Sequence, residues 1–452
     1  MDEIPNNEIT ALCKQHNFWT WSAQSKVDPI PVQRARGVYF WDIAGKRYLD
    51  FNSMVMCVNI GHGDERVIQA IVRQAQELSF AGPQMATKPR AELGKLLAEV
   101  CPKGITRFLY TLGGADANEN AIKLARAYTG KHKIITRYRS YHDSTYGALA
   151  LTGDGRRVAW EPTIMPGVVH MLDPFRYRSV FHKNNADINE DEFCQDHLNY
   201  LEELIQFESA ESIAAILMEP VTGANGIIIP PRGYIQGVRY LCDKYGLLFI
   251  TDEVMTGFGR TGKWFAVNHW NVIPDIMTMA KGLTSGYAPL GAVGMKEEIA
   301  AFFNERVYRG GMTFNGHPIS LAAAIANIEV IRQDHLVEKA EKTGIVMMEM
   351  LAEIAANHPS VGEVRSIGLF GAIEVVKNKK TREPISPYDK PSKELAAIQK
   401  FSRDHGLFHY IHDNIVLVIP PLIISESELS DGFEILSEAL NITDKLVKEE
   451  RI

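Results

Sequence analysis

Residues 212–219, SIAAILME, and 247–254, LLFITDEV, are apolar at nearly every position until acidic residues interrupt them. HKIITRY (132–138), DIMTMA (275–280) and LGAVGM (290–295) read alike, and RFLYTLG (107–113) is a short apolar run closed by glycine. A strand with one face in water alternates apolar and polar residues. A nearly continuous run marks a strand covered on both faces, as in a parallel sheet. Between these runs the period changes. ADANENAIKLARAYTG (115–130) puts Ala117, Ala121, Leu124 and Tyr128 on one helical face, with Gly130 placed as a C-cap. YIQGVRYLCDKYG (234–246) and DERVIQAIVRQAQEL (64–78) carry the same helical spacing. Strands alternating with helices predict an α/β fold: a mostly parallel central sheet with helices on both faces, spanning residues 61–328.

Outside that span the texture differs. GVYFWDIAGKRYLDF (37–51) predicts two short strands about a turn at Ala44-Gly45. DHLVEKAEKTGIVMMEMLAEIAANH (334–358) predicts a long helix, and LFGAIEVV and NIVLVIPPL two short strands before a final helix. We therefore expect a smaller α+β domain over 329–452, joined by the segment 1–60.

Composition narrows the class. A chain of 452 residues has room for two or three domains. No apolar run approaches the roughly 20 residues of a membrane span, and the acidic, polar start has no leader pattern. The formal charge of -7 lays down no basic footprint for nucleic acid. The five cysteines are odd in number and form no Cys-x-x-Cys pair, which fits a reducing compartment and argues against a zinc site. The expectation is a cytoplasmic enzyme with neither membrane nor nucleic-acid partner.

In open α/β sheets, ligands bind beyond the carboxyl ends of the strands. Gly113-Gly114-Ala115-Asp116 follows the first run and opens a helix, where backbone amides can meet an anion or simply pack tightly. Tyr141 and His142 follow the second and are expected exposed at the sheet edge, where an aromatic can stack on a flat ligand or lid the core. Glu219 ends the third run, in a position that suits either a ligand or a helix cap. Asp252 ends the most hydrophobic run and needs a partner, an arginine or a protonated ring nitrogen, because a buried lone charge is costly. Lys281 comes 29 residues later, between an apolar run and a glycine-rich stretch. A lysine where water is scarce can act as a neutral amine and form a Schiff base. Acid, amine, aromatic plate and phosphate cup are together the parts that pyridoxal phosphate requires.

From about residue 20 to 440 the chain resembles the class III aminotransferases, pyridoxal-phosphate enzymes of fold type I. The resemblance is strongest in LLFITDEVMTGFGRTGKWFA followed by PDIMTMAKGLTSGYAPLGAV, and recurs in MTFNGHPIS (312–320) and ANENAIKLAR (117–126). It implies that Lys281 holds the cofactor in a Schiff base and Asp252 pairs with its ring nitrogen. Val254 and Tyr141 would flank the ring, with His142 beside Tyr141 and Glu219 near ring and substrate. Gly114 and Ala115 would offer amides to the phosphate, and Thr313 would reach the phosphate of the other subunit in a homodimer with shared active sites. The chain departs from the family where Gly113-Gly114-Ala115-Asp116 replaces Ser-Gly-Ser-Glu or Ser-Gly-Thr-Glu, leaving backbone amides to do more. Met255 stands in place of the usual glutamine, and no arginine occurs in 406–421.

The N-terminal stretch resembles the branch that uses taurine or β-alanine with pyruvate or 2-oxoglutarate. The implied reaction is amino transfer from such a donor, taurine first, to a 2-oxo acid. Aminomutases, racemases and decarboxylases of the same fold are the alternatives, with a cofactor-binding protein lacking turnover as a more distant one. Trp21, Met54 and Met56 are candidates for the donor pocket, and Arg156, with its neighbour Arg157, for holding the donor's anion.

Overall fold

Alternate residues of each central strand serve different hydrophobic cores, which explains the continuous apolar runs. In the computed structural model, which describes residues 5, 8–182, 188–390 and 392–449, Leu217 and Ile250 face a core built on the helix Gly114–Thr129 through Ala117, Ala121 and Leu124. Ile216, Met218 and Phe249 face the opposite core, filled by Leu201 and Ile205 of the helix Glu190–Phe207 and by Val238 and Leu241 of the helix Tyr234–Tyr245. Residues 1–4, at the polar N-terminal start, lie outside the described residues.

Among the described residues seven strands form the sheet, in the order Ile105–Thr111, Gly291–Lys296, Ile276–Met279, Leu248–Asp252, Ile213–Met218, Lys133–Arg137 and Val168–Met171. All run in one direction except Gly291–Lys296, which is antiparallel to both neighbours. A parallel connection needs a crossover of a dozen or more residues. Only residues 280–290 separate this strand from the one before it, so the chain can only turn back. Gly291 sits where a Cβ would stand 2.2 Å from the carbonyl oxygen of Gly113, so glycine lets the reversed strand pass the loop that opens the long helix. The edge strand Val168–Met171 escaped the sequence reading because it is short and only its last residue is buried.

Tyr39–Asp42 and Arg47–Asp50 pair about the expected turn, where Asp42 Oδ1 accepts from the amides of Ala44 (3.0 Å) and Lys46 (2.9 Å). Arg47–Asp50 also pairs, in parallel, with Leu407–Phe408 near the other end of the chain. A second antiparallel sheet joins Val361–Ser366, Gly371–Asn378, Ile415–Val418 and Tyr410–His412. The helices Leu336–Asn357 and Glu426–Glu449 pack with it.

Candidate active site

The parallel strands deliver their carboxyl ends to one side of the sheet, and a cavity lies there. Seven residues expected at a site from the sequence line it: Gly114, Tyr141, His142, Glu219, Asp252, Val254 and Lys281. Asn118, Asp143 and Met255 complete the lining. Lys281 starts the turn that follows the strand Ile276–Met279, at a φ of 43°, a backbone angle rare for a residue with a side chain.

Asp252 is buried and accepts three hydrogen bonds. His142 Nδ1 (2.7 Å) and Asn118 Nδ2 (2.9 Å) donate to its Oδ2, and the Val254 amide (3.0 Å) donates to Oδ1. Burial pushes the pKa of such a group up, but the contacts from His142, Val254 and Asn118 outweigh it and hold the carboxyl below its ordinary value. Its neighbour Glu253 behaves oppositely. Burial drives Glu253 up to about 7, against hydrogen bonds from Thr256 and the amides of Val267 and Ala266. The two carboxylates lie on opposite sides of the strand end, so only Asp252 meets the cavity.

Glu219 is also raised by burial, with His142 and Arg137 opposing. Its carboxylate accepts from the amides of Gly223 (2.7 Å) and Tyr141 (3.2 Å), so it shapes the loop that carries Tyr141.

His142 is not exposed as expected; it is 1% exposed, wedged between Asp252 and Thr136 Oγ1 (3.3 Å). A polar ring in a loop reads as surface in sequence, and only the approach of Asp252 gives it a buried partner. Asn118 lies within ANENAIKLAR (117–126), and the sequence alone assigns it no role. It ties Asp252 to the carbonyl of His142 (3.1 Å) and accepts from Thr278 (2.9 Å). Its place one helical turn beyond Gly114, on the same face, was the available signal.

The helix Gly114–Thr129 begins at the cavity. Asp116 takes the amides of Leu112 (2.6 Å) and Gly113 (2.8 Å), while among the described residues the amides of Gly114 and Ala115 make no hydrogen bond. A Cβ on Gly114 would stand 3.2 Å from a Val254 methyl, so glycine keeps the helix end close to the cavity wall. Ala115 follows in the same turn without lining the cavity.

Above the cavity, Arg156 stacks on Tyr141 with its Cζ 4.0 Å from the ring centroid. Its Nε donates to both oxygens of Asp154 (2.8 and 3.0 Å), and its Nη2 donates to Asp154 as well. Asn225 Nδ2 supports Asp154 (3.1 Å), and His412 bonds Asn225 (3.0 Å). Among the described residues Arg156 Nη1 makes no hydrogen bond. Arg157 turns away to Glu161 (3.0 Å).

Besides Ala115 and Arg156, four expected residues do not line the cavity, among them the half-buried Met54. Trp21 is 70% exposed, on a segment whose helix Ile9–His16 buries no residue. Thr313 lies on an exposed loop, beside Arg90 and Tyr110. Met56 is buried one layer out, in a cluster with Met255, Val221 and Ala224.

The model of the family "Aminotransferase class-III" matches residues 21–440. The chain belongs to the class-III aminotransferases. This class-III aminotransferase is 35% identical to the putrescine–pyruvate aminotransferase of Pseudomonas aeruginosa, with 96% of each chain covered. It is 34% identical to the taurine–pyruvate aminotransferase of Bilophila wadsworthia, over 94% of this chain and 95% of that one. Its structure matches the taurine:2-oxoglutarate aminotransferase of Bifidobacterium kashiwanohense, solved with PLP and glutamate, at a TM-score of 0.95 and 40% identity. That match covers 98% of this chain and 99% of the other. Among the described residues no helix is long and apolar enough to cross a membrane.

Proposed function

We propose that this aminotransferase moves the amino group of a small ω-amino acid, taurine first and β-alanine second, to 2-oxoglutarate or pyruvate, using Lys281 as the Schiff-base amine. The observation that carries the donor class is Arg156, whose guanidinium lies against Tyr141 at the cavity with Nη1 uncommitted. Two of the three related proteins just described act, by name, on taurine.

The cavity fits pyridoxal phosphate. A buried carboxylate kept ionised suits a protonated ring nitrogen, and two unpartnered amides at a helix start suit a phosphate. Tyr141 and Val254 offer two faces for a ring, and Lys281 offers the amine. When bound, the cofactor supplies an aldehyde carbon for the donor nitrogen and a ring that accepts electrons from the adjacent carbon. Asp252 would hold the ring nitrogen's proton, itself held by His142 and Asn118. Lys281 Nζ would carry a proton to and from the substrate carbon. Arg156 would orient the donor's anion, its fork held in plane by Asp154.

An amine panel tests the reading. Taurine and β-alanine are expected to react with a 2-oxo acid, and propylamine, of similar length but without an anion, to be a poor donor. Arg156→Lys is expected to raise the taurine KM about tenfold, because a point charge does not reproduce the planar fork. Propylamine reacting as well as taurine would leave the pocket merely hydrophobic.

The active unit we propose is a homodimer with shared sites, in which Thr313 serves the partner's cofactor. Supporting this, Thr313 is exposed and apart from the Lys281 cavity, and its neighbour Phe314, 52% exposed, packs edge-on against Phe80, 42% exposed. An exposed apolar cluster of this kind marks an interaction surface. In a mixed dimer of Lys281→Ala and Thr313→Ala subunits, one site carries both lesions and the other none. An equal mixture under subunit exchange should therefore regain roughly one quarter of wild-type activity. Mixtures no more active than the averaged parents would end the shared-site reading.

We further take residues 61–328 as the cofactor-binding domain and 329–452, joined by 1–60, as the small domain, a division supported by the pairing of Arg47–Asp50 with Leu407–Phe408. A cytoplasmic location is our reading from five free cysteines, which suit a reducing compartment.

A further inference from the structure

Four consecutive residues with side chains, Ser53, Met54, Val55 and Met56, have φ of 43°, 43°, 61° and 59°. Left-handed backbone is costly for L-residues, and most of all for a β-branched one such as Val55. A run of four persists only where the surroundings over-determine it, and such strain gathers at functional sites.

The surroundings converge on one buried guanidinium, Arg260. Its Nη2 donates to Ser53 Oγ (3.2 Å) at one end of the turn and to Asn59 Oδ1 (3.0 Å) just past the other. Its Nη1 donates to the carbonyls of Leu369 (3.0 Å) and Pro420 (2.6 Å) in the C-terminal part. Ser53 Oγ in turn donates to the carbonyl of Ile419 (2.7 Å). All four acceptors of Arg260 are neutral; the charge that favours the buried cation is the Asp50 carboxylate, which also accepts from the turn's amides at Asn52 (3.1 Å) and Met54 (3.3 Å).

What the turn carries lies against the active site. Met56 is buried in one hydrophobic cluster with Met255, which lines the Lys281 cavity. Asn59 Nδ2 lies against Gly282, where a Cβ would stand 2.5 Å away, and the Ile60 amide donates to Ser285 Oγ (3.3 Å). Cys57, immediately after the turn, is close enough to Lys281 that the ammonium counters the upward push of burial on its thiol.

We propose that Arg260 is a positioning residue: by gripping Ser53 and Asn59 it holds the left-handed turn that sets Met56 in the layer behind Met255, a wall of the cavity, and braces the Lys281 loop. The substrate readout rests on the proposed function; the clamp does not. Arg260 does not line the cavity and acts through the turn.

Two conservative variants test it in the full-length holoenzyme. Ser53→Ala removes one arm of the clamp while keeping side-chain size. It is expected to raise the taurine KM about fivefold with kcat within about twofold, a split that marks lost substrate positioning. Maleimide labelling of Cys57, followed by mass spectrometry, is expected to quicken by about fivefold as the turn loosens. Val55→Gly leaves the clamp intact and removes the strain of an exposed β-branched residue, so Tm should hold or rise with KM unchanged. A Ser53→Ala enzyme with lower Tm but unchanged KM and unchanged Cys57 labelling would make Arg260 a plain structural staple. A destabilised Val55→Gly enzyme would show that the turn stores no strain. If the wild-type protein transfers no amine at all, the proposed function fails while Cys57 labelling still decides the clamp.

Discussion

Lys281→Ala is expected to abolish amino transfer while leaving the fold and some cofactor affinity in place. The lysine is the one amine in a cavity otherwise lined by Asp252, Glu219, Tyr141, His142, Asp143 and uncharged groups. Two functions would leave with it: covalent attachment of the cofactor and proton transfer at the substrate carbon. General acid–base catalysis alone contributes about 10²–10⁴-fold, so turnover should fall by at least that factor. The amides of Gly114 and Ala115, the ring faces and Asp252 remain, so pyridoxal phosphate should still bind, without the visible absorbance of a lysine-bound cofactor. Absorbance titration together with single-turnover kinetics would measure both. A variant with wild-type turnover would remove Lys281 from the mechanism.

Asp252→Asn carries the second-largest expected effect, and its two costs can be separated. The first is electrostatic. A neutral amide cannot hold a proton on a ring nitrogen, and losing a preorganised charge of this kind costs about 3–4 kcal/mol, or roughly 10²–10³-fold in kcat. The second is structural. Asp252 Oδ2 accepts from His142 Nδ1 and Asn118 Nδ2, and an amide NH₂ there would face two donors. His142 can change tautomer and accept. Asn118 cannot easily flip, because its own oxygen accepts from Thr278. One buried donor is therefore stranded, at a cost of about 1–3 kcal/mol in stability. A lowered Tm with kcat unchanged at saturating cofactor would make Asp252 a structural residue only. In the wild type, hydrogen bonds hold the Asp252 carboxyl below its ordinary value, so its stabilising contribution is present above the carboxylate range and is lost as pH falls through it. No stability change near neutral pH should trace to this group.

Much of this molecule is legible along the chain, and the reason is local. Burial on both faces demands apolar residues at every strand position, so Ile213–Met218 and Leu248–Asp252 announce a covered sheet before any contact is known. Once strands are placed, the rule that ligands sit beyond their carboxyl ends selects Gly114, Tyr141, Glu219, Asp252 and Lys281, and the fold gathers all five at one cavity. What the chain withholds are pairings between residues far apart in sequence. His142 reads as an exposed loop histidine until Asp252, 110 positions on, arrives 2.7 Å away. Arg156 reads as an open cation, yet Asp154 and Asn225 hold it and Tyr141 lies flat beneath it. Arg260 reads as a motif letter, and only the folded chain brings four acceptors from three distant segments to its two terminal nitrogens. Periodicity records how deeply each residue is buried. Which polar groups share that burial is decided by tertiary structure, because every buried donor must find an acceptor wherever the fold supplies one.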